Sequence, residues 1–177
     1  MCNFLSALVW SGGKIFMAPE ATDSHSDLIL AKGLDDTRPL ETRGWARIEF
    51  TPNDTADFDK PEKYVLKVDE SSTPAWFDDA FRFDLTERLK EKIEAMIVRD
   101  TREILLGGCW ILARGAKVAV VQNCTVNAIY DGRVVARGSS RVVAWESSSV
   151  VAWESSRVVA RGSSVKLDDS RLKPATI

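Results

Sequence analysis

From Cys109 onward the chain repeats every eight residues, and so short a period leaves few ways to fold. Cut in eights, the segment reads CWILARGA, KVAVVQNC, TVNAIYDG, RVVARGSS, RVVAWESS, SVVAWESS, RVVARGSS and VKLDDSRL. The second position holds Trp110, Val118, Val126, Val134, Val142, Val150 and Val158. The fourth holds Leu112, Val120, Ala128, Ala136, Ala144, Ala152 and Ala160. Only the last unit, with Lys166 and Asp168 there, departs from the pattern. Side chains alternate along an extended chain, so positions two and four share one face and positions one, three and five the other. Gly-Ser-Ser or Glu-Ser-Ser at positions six to eight are turn residues. Each octad therefore reads as one strand of about five residues followed by a corner.

Such units stack into a parallel β-solenoid with a thin interior of Val and Ala. One eight-residue arm cannot close on itself, so two arms in a 16-residue coil make the simplest rung, with a three-arm, 24-residue rung as the alternative. A 16-residue step stacks Arg137 on Trp153 and Trp145 on Arg161, alternating guanidinium with indole. It also sets Gly138 beside Glu154 and Glu146 beside Gly162, and so avoids stacked like charges. Serines at 139/155 and 147/163 would line the corners. Charges at Lys166, Asp168 and Asp169, with Pro174 beyond, suit a polar end cap.

The first part of the chain has a different texture. Residues 4–18 read as a hairpin turning at Ser11-Gly12-Gly13. Ser24 or Ser26 can cap a short helix that Gly33 closes. Trp45–Phe50 and Tyr64–Val68 alternate as paired strands. A longer helix is expected from Pro74, capped by Ser72 or Thr73, with a break possible near Asp79–Asp84; Leu85, Leu89, Ile93, Met96 and Ile97 form its apolar stripe. The fold expected is an α+β head domain over 1–108, an octad-repeat β-solenoid over 109–172 and a tail over 173–177.

Charge follows the same division. Residues 1–108 carry 14 Lys/Arg and 21 Asp/Glu, a net −7, and residues 109–177 carry 10 and 5, a net +5. An anionic partner is therefore expected at the second part. Cys2, Cys109 and Cys124 form no CxxC pair and suit free thiols in a reducing compartment. The start lacks a basic leader pattern, and no run of about 18 apolar residues could span a bilayer, so a cytoplasmic protein without membrane attachment is expected.

Ala46–Pro52, Pro74–Phe77, Met96–Val98 and Ile104–Leu112, followed by the octads, resemble uncharacterised proteins of bacteriophages and other mobile elements that pair a small α+β head with short repeats. The resemblance implies an origin of that kind, action inside a bacterial host cell, and a binding or assembly role. Inhibition of a bacterial defence system is one concrete form. The coil is also similar to that of ice-nucleation proteins but lacks their Thr-x-Thr ladders.

Residue chemistry offers little for catalysis. His25 is the only histidine and, in a polar setting at a helix start, reads as a capping or solvent-facing residue; a His-based metal site or relay has no second histidine. Cys109 and Cys124 lack a neighbouring base and read as structural. Asp54, Asp57, Asp59 and Glu62 read as a solvated loop, without the spacing of a calcium loop. Asp78 and Asp79 suit an early helix turn, and the glycine pairs carry no phosphate-loop pattern. No enzyme activity, cofactor or metal is expected. The candidate binding residues lie on the outward solenoid faces: Arg133, Arg137, Val151 and Trp153 on one, and Arg141, Val143, Trp145, Arg157 and Arg161 on the other. Arg, Trp and an apolar column suit a protein partner or a second copy of the chain. A nucleic acid or nucleotide is the alternative ligand for the Arg/Trp face.

Overall fold

The computed structural model describes residues 5–17, 24–128, 132–145, 147–161 and 166–169. The chain divides into two compact units, Met1–Ala95 and Met96–Ile177. The first is built on strands β1 (Ser6–Trp10), β2 (Ile15–Phe16), β3 (Trp45–Pro52) and β4 (Tyr64–Val68), in the antiparallel order β2-β1-β3-β4. Helix α1 (His25–Lys32) starts behind Ser24, whose hydroxyl accepts the Asp27 N–H, and ends at Gly33 in the left-handed conformation. Its Leu28 and Ile29 pack with Leu8 of β1 and Trp45 of β3.

Helix α2 (Asp79–Met96) buries Leu85, Leu89 and Ile93 on one stripe. It begins later than Pro74, because the Asp78 carboxylate accepts the Phe81 N–H at 2.8 Å and takes the capping role expected of Ser72 or Thr73. Pro74 instead opens a separate turn closed by Phe77 N–H to its carbonyl, and Trp76, Phe77 and Phe81 cluster beside it. No break occurs between Asp79 and Asp84. Two arginines tie α2 to the sheet, Arg82 donating to Leu66 O and Arg88 to Gly13 O.

A buried charge cluster holds the end of β4 against β3. The Glu70 side chain is 2 % exposed and accepts from Arg43 Nη2 at 2.7 Å and Arg47 Nη2 at 3.0 Å. Its other oxygen accepts the Arg47 backbone N–H at 2.9 Å. Burial alone would raise the Glu70 pKa, but the hydrogen bonds from Arg47 and Arg43 and the Arg47 charge outweigh it and hold the pKa below 4.5.

The second unit is a two-sheet parallel coil. One sheet contains β5 (Ile97–Val98), β7 (Cys109–Leu112), β9 (Thr125–Ala128), β11 (Arg141–Trp145) and β13 (Arg157–Arg161). The other contains β6 (Thr101–Leu106), β8 (Lys117–Gln122), β10 (Arg133–Arg137), β12 (Ser149–Ala152) and β14 (Lys166–Asp169). Successive strands alternate between the sheets. Arg133 stands beside Ser149 and Arg141 beside Arg157, sixteen residues apart in each case. Val118, Val121, Val126, Val134, Ala136, Val142, Ala144 and Val150 fill the space between them.

This arrangement differs from the octad frame in four places. The coil starts before Cys109, because β5 and β6 already belong to its sheets; they lack the Val-x-Ala signature that marks later units. In β8 the inward fourth position passes from Val120 to Val121, leaving Val120 half-buried. That strand has one extra residue between inward positions, so Val121 pairs with Ala136 fifteen residues on. The following corner is one residue shorter: Asn123 adopts a positive φ, and its Oδ1 accepts from the Ser139 N–H at 3.1 Å. Gly138, also at positive φ, faces that side chain, and a Cβ there would lie 2.2 Å from Asn123 Oδ1.

The third difference is at the corners, where the eighth-position serines rather than the seventh are the structural ones. Ser140, Ser148 and Ser156 are buried, while Ser139, Ser147 and Ser155 are exposed; Ser163 lies outside the described residues. The Ser140 hydroxyl is 2.7 Å from Arg137 O and 3.2 Å from Val121 O, and Ser148 reaches Trp145 O at 2.7 Å. Cys124 occupies the same column and donates its thiol to Leu105 O at 3.8 Å. Finally, Lys166–Asp169 does more than cap the coil. It adds β14, with Lys166 beside Ser149 at a step of seventeen. The 173–177 tail and the Glu146/Gly162 pair lie outside the described residues.

Two outcomes follow from these contacts. Ser140→Ala should lower stability by about 1–2 kcal/mol, because it removes a buried hydroxyl's bonds to Arg137 O and Val121 O. Ser155→Ala, at an exposed corner, should stay within about 0.5 kcal/mol; denaturant midpoints of the two variants make the comparison. The second concerns pH. A depressed carboxylate pKa adds stability above the unfolded value and loses it as pH falls through the folded value. Wild type should therefore lose stability below about pH 4.5 more steeply than Glu70→Gln, read from thermal midpoints across pH 3–7.

Candidate functional site

The outward faces of the two sheets differ, although the octads that build them are nearly the same. On the β7–β9–β11–β13 face, Trp145 stands beside Arg161, whose guanidinium lies 5.4 Å from the indole centroid. Arg141, Val143 and Trp145 are all half-buried there, as are Val159 and Arg161, while Arg157 is exposed. Arg161 and Trp145 thus spend their binding chemistry on each other.

The β6–β8–β10–β12 face is more open. Its central column runs Ile104, Val120, Val135 and Val151, each beside the next in the ladder. A second column runs Leu106, Gln122 and Arg137, with Trp153 next, its N–H donating to Ala136 O at 2.9 Å. Ile104 is 47 % exposed, Leu106 64 % and Trp153 44 %. These are three of the six large hydrophobic side chains that stand exposed among the described residues, and all belong to this one face. Across β8, β10 and β12 the outward charges are Lys117, Arg133 and Arg137, all positive and all exposed. The result is an apolar strip flanked by cations on these three strands, with exposed Glu103 next to Ile104 and exposed Glu154 next to Trp153.

Four of the nine candidate residues therefore share the open face: Arg133, Arg137, Val151 and Trp153. The other five, Arg141, Val143, Trp145, Arg157 and Arg161, lie on the opposite sheet. Ile104, Leu106 and Lys117 complete the open face and were missed. The octad frame assigned Ile104 and Leu106 to the head, yet Leu105 between them points inward and pairs with Val121, an alternation that could have placed them.

The remaining reactive groups have structural settings. Burial, followed by the neighbouring Cys124, pushes the Cys109 thiol up to about 12. Burial also raises Cys124 against hydrogen bonds from Ser140 and the Gln122 backbone. Asp54 caps a turn at Ala56, and Asp57 pairs with Lys60, so the acidic loop is internally bonded. His25 is not solvent-facing: it is 4 % exposed, with Nε2 2.9 Å from Ile48 O and Nδ1 3.0 Å from Asp69 Oδ2. No helix among the described residues is long and apolar enough to cross a membrane.

Compared with protein-family models, curated proteins and solved structures, the chain matches none. The geometry of the faces is thus the ground for a functional reading.

With Cys2 replaced by Ser, the remaining thiols should react with a disulfide reagent at pH 8 only after denaturant is added, since the thiolate is the attacking form. A rapid reaction of the native protein would place a reactive thiol in the coil.

Proposed function

We propose that the chain is a non-enzymatic interaction protein and that its open solenoid face binds another protein. The observation that carries this reading is the run of Ile104, Leu106 and Trp153 left exposed beside half-buried Val120, Val135 and Val151. A contiguous apolar strip of this kind is costly to leave wet and is the usual mark of an interface. Trp and Arg, the residue types that dominate binding hot spots, stand at its edge.

In this reading the octad is the construction unit of the face. Every second unit adds one residue to each outward column, so duplication lengthens the strip without redesigning the interior. The charge pattern selects the partner. Two copies meeting through the same face would set Arg133 and Arg137 against each other's cations, whereas an apolar surface rimmed by carboxylates would complement them. A partner drawn from a bacterial defence system rests on the resemblance alone.

A second reading, nucleic-acid binding, is favoured by one feature: exposed Trp153 beside Arg137 offers a stacking platform next to a phosphate-binding cation. Its signature is salt-dependent affinity for single strands, lost in Arg133→Glu with Arg137→Glu.

The deciding experiment compares wild type with a Leu106→Ser, Trp153→Ser double variant, by light scattering and by recovery of bound protein from a bacterial extract. Wild type should carry a protein at fixed stoichiometry. The double variant should bind that protein at least about 30-fold more weakly, as expected for a hot spot of about 2 kcal/mol or more, with an unchanged circular dichroism spectrum. A wild-type chain that stays a bare monomer, or a complex the variant retains, contradicts the reading.

A further inference from the structure

The head contains a second cluster of chemistry-bearing groups, and the interaction reading above makes no use of it. His25 is the first residue of α1, Glu49 lies on β3, and Asp69 follows β4. One ligand atom from each lies within 4.8 Å of the others. The elements that bring them together are the same ones that build the unit. Glu49 pairs with Lys67 across the ladder, and Asp69 N–H donates to Arg47 O two residues along each strand, so the two carboxylates share a sheet face. Leu28 and Ile29 seat α1 against Leu8 and Trp45, which brings its first residue to Ile48 and Asp69.

The histidine's hydrogen bonds point to what the cluster holds. Ile48 O can only accept, so the 2.9 Å contact assigns the ring proton to Nε2. In the neutral ring Nδ1 then carries a lone pair, and it faces Asp69 Oδ2 at 3.0 Å, which is also an acceptor. Two lone pairs at that distance need a proton or a cation between them. A histidine nitrogen oriented by a backbone carbonyl on its other side is the arrangement that metal-binding imidazoles use. Glu49 brings a second carboxylate oxygen within 4.8 Å of both.

We propose that His25 Nδ1, Glu49 and Asp69 form a binding site for a divalent first-row transition cation, with zinc as the simplest occupant. One imidazole and two carboxylates make a nitrogen–oxygen set suited to Zn²⁺, Mn²⁺ or Fe²⁺ rather than to a purely oxygen-seeking ion. Donor atoms about 2.1 Å from zinc lie about 3.4 Å from one another in a tetrahedron, so the 4.8 Å spread closes with small side-chain rotations. Asp69 is half-exposed, which gives the ion a route in and leaves its remaining position to water. Arg47 is bound to Glu70 rather than to this cluster, whereas exposed Lys67 stands across from Glu49 as the competing cation. The positive end of α1 opposes a cation at His25, but a helix end carries only about half a charge against two whole carboxylates.

The test uses the full chain, stripped with a chelator and titrated with Co²⁺ by absorption spectroscopy and with Zn²⁺ by calorimetry. Isosteric variants Glu49→Gln and Asp69→Asn keep the shape of the site, whereas loss of buried His25 could unfold the head. Wild type should bind one ion with nitrogen and oxygen ligation and no thiolate charge-transfer band, and its thermal midpoint should rise with metal. Each carboxamide variant should weaken binding about tenfold or more, and the double variant should lose the thermal shift while keeping the metal-free spectrum. Absence of binding by wild type would overturn the proposal and leave His25 and Asp69 a proton-bridged pair. Binding that shows a thiolate band, or that survives both substitutions, would overturn it equally.

Discussion

A two-sheet coil this thin is governed by its corners. From β6 onward each strand is four to six residues long, and the chain must turn after every one of them and find partners for the backbone groups of each corner. The buried hydroxyls of Ser140, Ser148 and Ser156 donate to carbonyl oxygens, and Cys124 does the same with a thiol. Backbone N–H groups share the work, Ser140 and Asn123 reaching Arg137 O and Ser148 reaching Trp145 O, and buried Ala116 and Gly132 fill the same position in earlier units, so what the column requires first is a small residue. The small corner residue therefore decides whether the arms close, and the Val and Ala interior follows from the narrow gap that closure imposes.

Closure from within frees the outside. Because the interior and corners use positions two, four and eight, the outward positions can vary without breaking the coil. The two sheets show this freedom in opposite ways. On one, Trp145 and Arg161 stack on each other. On the other, the neighbour of Trp153 in its column is Arg137, and both remain exposed, along with Ile104 and Leu106. The same octad, moved by one arm, builds a self-satisfied face and an open one.

Much of this architecture was legible from the residues. Period-two alternation in RVVAW and RVVAR placed Val142, Ala144, Val134 and Ala136 inside, and the 16-residue step put Trp145 beside Arg161. The start of the coil was hidden, because Ile97–Val98 and Thr101–Leu106 pair with its sheets and bury Val98 and Leu105 in its interior without the repeat's Val-x-Ala signature. The extra residue before Val121 was hidden too: VAVV is apolar at all four positions, so nothing in it marks which valine turns inward. In the head, Asp78 overrode Pro74 as the helix start, since a carboxylate that satisfies an orphan N–H outweighs a favourable φ. The His25 cluster was the least visible feature. Its members are far apart in sequence, and only the antiparallel pairing of β3 with β4, together with the seating of α1, gathers them.

The central claim is that consecutive octads lie in different sheets and alternate octads pair. Cross-strand backbone nuclear Overhauser effects test it most directly, because parallel neighbours bring amide and α protons within contact range. The account predicts such contacts between Val142 and the Val158 region and between Val134 and the Val150 region. A continuous backbone ladder joining Arg133–Arg137 to Arg141–Trp145 would contradict it.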